Sequence, residues 1–374
     1  MIGRALRTLE EKQLHRWAGP WVRDRLARRA RAGSEAEQVT DVLFCLCDHH
    51  EPLWGQEPRE RGLARVERWR TGYPKLARGL EDAGGRGPRH TFFYPGDQYD
   101  PAFLEGLGEL ARAGHGEFEV HLHHDGDTRA SLREKLEETL AGFARHGLLP
   151  VVQGKARWCF IHGNWCLANA RRDGRMCGVD DELTLLWELG CYADMTFPSA
   201  PDESQPSWVN AIAQPAGDLA RRRSYEGAEP VAVGTARRDA LLLVQGPLAL
   251  ARRPGSLRVR IENGDLQGND PPTLARFRTW VAQHVHVKGR PEWCFVKVHT
   301  HGSPEKNAFA MLGEPTRRFH EDILAECKNR GMRLHYVSAR ELVNVAEAAM
   351  RGASGDPRRF FDVGTPRAAI VGGS

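Results

Sequence analysis

Asp41-Val42-Leu43-Phe44-Cys45-Leu46-Cys47, followed at once by Asp48-His49-His50-Glu51, has the form of a buried strand that ends in polar, metal-ligating side chains. Working outward, the same unit recurs. Helical spacing through Leu63, Val66, Trp69 and Leu76 predicts a helix over 58–83 with a break near Pro74, and HTFFYP (90–95) is the next strand. Pro101 opens a helix over 101–114, FEVHLH (118–123) is a third strand, and Thr128 is placed to cap a helix over 129–146. The alternation goes on through WCFIH (158–162), a helix over 180–190, YADMTF (192–197), LRVRIE (257–262) and a helix over 273–286. WCFVKVHT (293–300), a helix over 316–330, RLHYVS (333–338) and a helix over 339–350 complete it. Strands that each precede a helix must run parallel, because such crossovers need the helix. A closed barrel or an open doubly wound sheet would satisfy this. No Gly-x-Gly-x-x-Gly turn follows an early strand, which favours the barrel. The expected organisation is an Arg-rich N-terminal helical extension (1–38) ending in GSEAEQ, a catalytic barrel (39–350) with a long polar insertion at about 200–270, and a loose Gly/Pro/Arg-rich tail (351–374).

Composition excludes several classes. The 374 residues carry 53 Lys+Arg against 49 Asp+Glu, and a net charge of +4 lacks the concentrated basic face of a nucleic-acid binder. No stretch is long and apolar enough to span a membrane, and the first twenty residues hold no signal-peptide core. The eight Cys form no Cys-x-x-Cys pair, and those inside apolar runs read as small buried hydrophobes. A reducing cytoplasm is the expected compartment. The 16 His are the informative count.

Half of those His fall at the predicted C-terminal strand ends, where barrels of this kind build their active sites. The ends read Asp48-His49-His50-Glu51, Tyr94-Pro95, His121-x-His123-His124-Asp125-Gly126-Asp127, His162-Gly163-Asn164-Trp165, Glu262-Asn263-Gly264-Asp265 and Lys297-x-His299-x-His301. Period-two alternation puts Glu119, His121 and His123 on one face of their strand, and Lys297, His299 and His301 on one face of theirs. Such faces are expensive to bury unless the groups bind a metal or each other. His with carboxylates suits Zn²⁺ first, then Fe²⁺, Mn²⁺, Co²⁺ or Ni²⁺. The candidate ligands are His49, His121, His123, His124 and Asp127. An open site of this type activates water and polarises a carbonyl, with His or Asp outside the coordination sphere as acid or base.

A strand ending in Asp beside a second ligand, the Glu119-x-x-x-His123 strand, and a late strand ending in His together resemble the NodB-like polysaccharide deacetylases of the glycoside hydrolase/deacetylase superfamily. The resemblance spans about 40–345, and FIHGNW, TFPSAPD and VKVHTHG are similar to a bacterial branch of it. It implies a distorted (β/α)7 barrel in which a divalent metal activates water against an N-acetyl sugar. By position it makes Asp48 the base, puts His49 where the family has a metal-binding Asp, matches His123 to the first His of the second motif, and gives Asp127 in place of that motif's second His. His299, or else His301, would be the acid that protonates the leaving amine. The family's Arg-x-Pro motif is replaced by His162-Gly-Asn164-Trp165.

Tyr94, His162, Asn164, Trp165, Glu262 and Asp265 remain as substrate-binding candidates. The expected activity is metal-dependent removal of an N-acyl group from a sugar or sugar conjugate, with no nucleic-acid or membrane partner. A glycosidase of the same superfamily, pairing Asp48 with Glu262 or Asp265, and a non-catalytic carbohydrate-binding barrel are the alternatives.

Overall fold

The strand at 41–49 has no solvent side, and both of its faces must therefore be covered. The structure, a computed structural model, describes residues 11–31, 38–252, 255 and 258–370; most of the GSEAEQ stretch expected as a linker lies outside them. In it β1 (Asp41–His49) is buried along its whole length. There follow α1 (Leu14–Arg31, ahead of β1), α2 (Arg59–Ala77), β2 (His90–Pro95), α3 (Pro101–Arg112), β3 (Gly116–Leu122), α4 (Arg129–Arg145), β4 (Trp158–His162), α5 (Glu182–Glu188) and β5 (Cys191–Asp194). The second half holds β6 (Ile212–Gln214), β7 (Leu242–Val244), β8 (Ala249–Arg252), β9 (Val259–Glu262), β10 (Asp265–Leu266), α6 (Leu274–Gln283), β11 (Trp293–Thr300), α7 (Glu305–Met311), α8 (Glu314–Asn329), β12 (Arg333–Tyr336) and α9 (Ala339–Met350).

One large sheet runs in the order β10, β11, β1, β2, β3, β4, β5, β7, β6, with a two-residue strand at Glu229–Pro230 beyond β6 and β12 paired to the first half of β1. From β10 to β7 every pair is parallel; β6 joins antiparallel. The fold is therefore α/β with a mostly parallel central sheet. Among the described residues no ladder joins the two ends of this path, so closure of a barrel is not made by backbone hydrogen bonds. The buried Lys297 of β11 donates from Nζ to the carbonyls of Met195 (2.5 Å) and Phe197 (2.6 Å), just past β5.

Alternate residues of each strand enter two different cores. Val42, Phe44 and Leu46, with Phe92, Tyr94, Phe118, Val120, Leu122, Phe160 and Val298, pack against Trp69 and Tyr73 of α2, Phe103 of α3 and Phe319 of α8. Leu43, Cys45 and Cys47, with Phe93, Ile161, Tyr192 and Phe295, form an inner core that α9 closes through Leu342, Val343 and Ala346. Helices α3 and α4 start where the sequence predicts, whereas α7 (Glu305–Met311) is not anticipated from it. Asp100 caps α3 ahead of Pro101, and Thr128 with Ser131 forms a capping box on α4.

Three expectations are corrected. Pro74 does not break α2, which continues to Ala77; in the last turn a proline removes only one helical hydrogen bond. The 200–270 stretch is not simply a polar insertion. Its apolar Leu242–Val244 is a strand of the main sheet, whereas Val259–Glu262 pairs with Ala249–Arg252 in a separate hairpin. The described tail is not loose through residue 365: Arg340 Nη1 and Asn344 Nδ2 both donate to the carbonyls of Phe361 and Thr365. Helix α1 lays Trp17 and Trp21 against Ala200, Val209 and Leu248.

Arg340 also ties the inner end of the sheet. Its Nε and Nη2 each lie 2.9 Å from the Glu117 carboxylate, which further accepts from Arg89 (3.0 Å) and Ser338 Oγ (2.8 Å). Burial alone would raise the Glu117 carboxyl, but Arg340 and Arg89 hold it below its ordinary range. A depressed carboxyl stabilises the fold above the unfolded value, about pH 4.3, and loses that contribution as pH falls through the folded value. Removing one partner of a buried pair costs about 3–5 kcal/mol. Urea unfolding of Arg340→Met should show a loss of that order at pH 7, and the gap to wild type should narrow as pH is lowered below about 4.

Candidate metal centre

Because the strands are parallel, their C-terminal ends share one edge, and the inner-face residues there converge. His49 ends β1, Glu51 follows two residues on, His121 and His123 sit at the end of β3, and His301 lies just past β11. His121 Nε2 is 3.3 Å from Glu51 Oε1, His123 Nε2 is 3.7 Å from it, and His301 Nε2 is 3.9 Å from it. The His49 ring lies 4.7 Å from that of His121 and 4.6 Å from that of His301, centroid to centroid. Two overlapping groups capable of holding an ion result, His49–Glu51–His301 and Glu51–His121–His123.

The donor atoms fit a divalent ion. Both ring nitrogens of His49, Nε2 of His121 and Oε1 of Glu51 are buried without a hydrogen-bond partner. Unpaired buried polar atoms are costly, and these point at one another. Ligands at about 2.0–2.2 Å from a tetrahedral Zn²⁺ sit roughly 3–4 Å apart, which is the spacing around Glu51 Oε1. The outward nitrogens are already engaged. His121 Nδ1 meets the Ile161 carbonyl at 3.1 Å, and His123 Nδ1 meets Asp97 Oδ1 at 3.4 Å, the pattern that orients a ligating His. Burial, and then the neighbouring His301, His121 and His299, keep the His49 imidazole well below its ordinary range; it stays neutral. Burial likewise lowers His121. Burial opposes charge on His123, but Asp97 and Glu51 outweigh it and raise its pKa.

Beside the cluster stands His299, on the same face of β11. Its Nδ1 is buried and unpartnered, and its Nε2 lies 3.9 Å from Asp265 Oδ1, itself buried and unpartnered. Burial raises the Asp265 carboxyl, and burial with Lys297 and His301 lowers His299. Trp165, at φ 64°, lays its ring 5.1 Å from His49 and 5.3 Å from His299. Exposed Trp54 meets His301 edge-on at 4.8 Å.

The other candidates lie elsewhere. Asp48 is on the opposite, helix-facing side of β1. Its Oδ2 accepts from His50 Nδ1 (2.6 Å) and His90 Nε2 (2.8 Å), and its Oδ1 accepts from the Gly302 amide (2.5 Å). Burial would raise its pKa, but the two imidazoles hold the carboxyl well below the ordinary range. His124 and Asp127 are also on that side, with Asp127 taken up by Lys135 (2.8 Å) and Ser131 (2.6 Å). There too are His162 and Asn164, whose side chain reaches the His124 carbonyl. The Tyr94 hydroxyl donates to the Gln98 carbonyl and fixes a turn. Glu262 is wholly occupied by Arg276, Arg260 and Trp280. Glu51, Asp97, Cys177 and Glu182 were not singled out from sequence as ligands or partners. Counting two residues from His49 along the inner face would have found Glu51.

No protein-family profile fits the chain, and no curated protein sequence matches it.

Asp48 is a positioning residue by this geometry. It clamps the Gly302 amide, Trp69 Nε1 donates to the Gly302 carbonyl (3.1 Å), and the turn so held presents His301. Asp48→Asn leaves at least one buried partner unmatched and should cost about 1–3 kcal/mol in urea unfolding. Calorimetric titration with Zn²⁺ should still show binding at the inner cluster. A catalytic base would instead lose turnover with stability unchanged.

Proposed function

We propose that the chain is a metal-dependent hydrolase of the polysaccharide-deacetylase kind, built on a distorted (β/α)7-type barrel and removing an N-acyl group from a sugar or sugar conjugate. The observation that carries this reading is the mutually facing set of buried His49, Glu51 and His121, with unpartnered nitrogens and oxygen, and half-buried His123 and His301. A divalent ion bound there, Zn²⁺ first among the candidates, would supply Lewis-acid polarisation of the acyl oxygen and a water of lowered pKa.

The chain's own groups supply the rest. His299 is placed to move a proton, with Asp265 behind it to orient the ring and balance its charge. This keeps His299 in the acid role the resemblance implies and gives Asp265 the carboxylate part. Trp165 walls the cluster on the His49–His299 side, and Trp54 offers an exposed flat face at the rim for a sugar ring. The resemblance in strand-end motifs favours an amide bond of an N-acylated sugar over other hydrolysable bonds. A glycosidase lacks this support, since Asp48, a member of either carboxylate pair considered for it, is locked in hydrogen bonds on the helix-facing side. No described helix is long and apolar enough to cross a membrane. All eight cysteines are free, which suits a reducing compartment such as the cytoplasm.

Metal analysis of the purified protein should find a divalent ion, and His121→Ala or Glu51→Gln should remove it from this site. His299→Ala should keep that ion while lowering turnover by about 10²–10⁴-fold. Acetate release and reducing-end formation, measured on one panel of N-acetylated oligosaccharides, should show the former without the latter. A wild-type protein with no metal and no thermal stabilisation by Zn²⁺, Co²⁺ or Mn²⁺ would sink the reading.

A further inference from the structure

His162 ends β4 on its helix-facing side, where a half-buried loop and α5 cover the sheet. Its Nε2 is fully buried and has no hydrogen-bond partner. Three other potential ligands surround that nitrogen: His124 in the turn after β3, Cys177 in the loop, and Glu182 at the start of α5. All four side chains are buried, and their ligand atoms lie within 4.8 Å of one another. Glu182 Oε1 is 3.2 Å from His124 Nε2 and 3.9 Å from His162 Nε2, and Glu182 Oε2 is 3.5 Å from Cys177 Sγ. The two imidazole rings stand 4.5 Å apart.

From this we infer that the chain carries a second metal site, a closed tetrahedral Zn²⁺ centre made by His124, His162, Cys177 and Glu182. It is separate from the inner cluster, because His123 and His124 point to opposite faces of the same sheet. Four protein donors leave no position for water, which marks a structural rather than a catalytic zinc site. Charge balance agrees: a thiolate and a carboxylate neutralise the ion, so a net-neutral unit is buried where an unpaired charge would be prohibitive. On binding, the Cys177 thiol releases its proton to solvent and its sulfur takes the ion. Ligation through His162 Nε2 puts that ring's proton on Nδ1, so the 3.2 Å contact from the Asn164 amide is given up.

The surroundings are built to hold such ligands. His124 Nδ1 faces Asp127 Oδ2 at 3.3 Å, and Asp127 is held by Lys135 and Ser131. The Asp127 amide donates to the Cys177 carbonyl (2.9 Å), and the Met176 amide donates to Asp125 (2.5 Å), so the two ligand-bearing loops are already laced together. Gly178, at φ 104°, passes so close to Asp127 that a Cβ would sit 2.5 Å from its carbonyl oxygen. The ion would pin the 163–181 loop to the sheet, and this loop carries Trp165 to the inner cluster.

The test is Co²⁺ titration of the full-length protein followed by absorption, with zinc content measured in parallel. Wild type should show a thiolate-to-cobalt charge-transfer band in the near ultraviolet. Cys177→Ser should abolish the band and lower zinc content by one ion per chain, whereas His121→Ala should lower zinc content and keep the band. A wild-type protein that takes up Co²⁺ without the band, or a band that survives Cys177→Ser, overturns the site. The wild-type titration stands even if a variant fails to fold. The band together with a zinc content untouched by His121→Ala would overturn the inner-cluster reading and leave this one in place.

Discussion

A parallel strand covered on both faces sends alternate side chains into two interiors, and neither can hold an unpaired polar group cheaply. β1 alternates in this way along its length, and so do β3, β4 and β11. Along their apolar lengths the consequence is ordinary packing: Phe44 goes to Trp280 and Phe319, and Cys45 goes to the inner core. At their C-terminal ends the residues turn polar on both faces at once. Each face then needs its own solution. The inner one gathers His49, Glu51, His121, His123 and His301, and the outer one gathers Asp48 with His50 and His90, and His124 with His162 and Glu182.

The two faces are coupled through glycine. The Gly302 backbone sits between Asp48 and Trp69 so tightly that a Cβ would be 2.5 Å from Asp48 Oδ2 and 2.6 Å from the indole. No other residue fits there without displacing the anchor, and the residue just before it is His301. Gly163 plays the matching part on the other side: a Cβ there would lie 2.4 Å from the His123 ring, and its amide donates to the Leu122 carbonyl. The inner cluster is thus shaped by backbone approach as much as by the ligands themselves, and the outer-face carboxylate Asp48 acts on it only through position.

Much of this was legible along the chain. The strands at 90–95, 158–162 and 293–300, the caps at Thr128 and Pro101, and the face shared by His121 and His123 follow from periodicity and capping chemistry, which are local. Parity alone also separates Asp48 from His49 and His123 from His124. A motif match by spacing treats such neighbours as one group and so assigns Asp48 a place beside His49 that alternation denies it. Glu262 was misjudged for a different reason. Its partners Arg276 and Trp280 come from the next helix, and nothing in IENGD announces them. Cys177 and Glu182 read as a small hydrophobe and a helix-start acid until the loop folds back on β4.

By itself, then, the amino-acid sequence determined the α/β class, the alternation of parallel strands with helices along the chain, and a polar rim rich in His at one edge, since these rest on side-chain period, chain direction and residue chemistry. Only the tertiary structure decided how that rim divides. Which imidazoles share a carboxylate depends on distances between residues tens or hundreds of positions apart, such as His301 to Glu51. Those distances are set by sheet order and loop packing, which no local pattern encodes. The sixteen histidines are one composition, but the two faces of the sheet sort the strand-end ones into separate clusters.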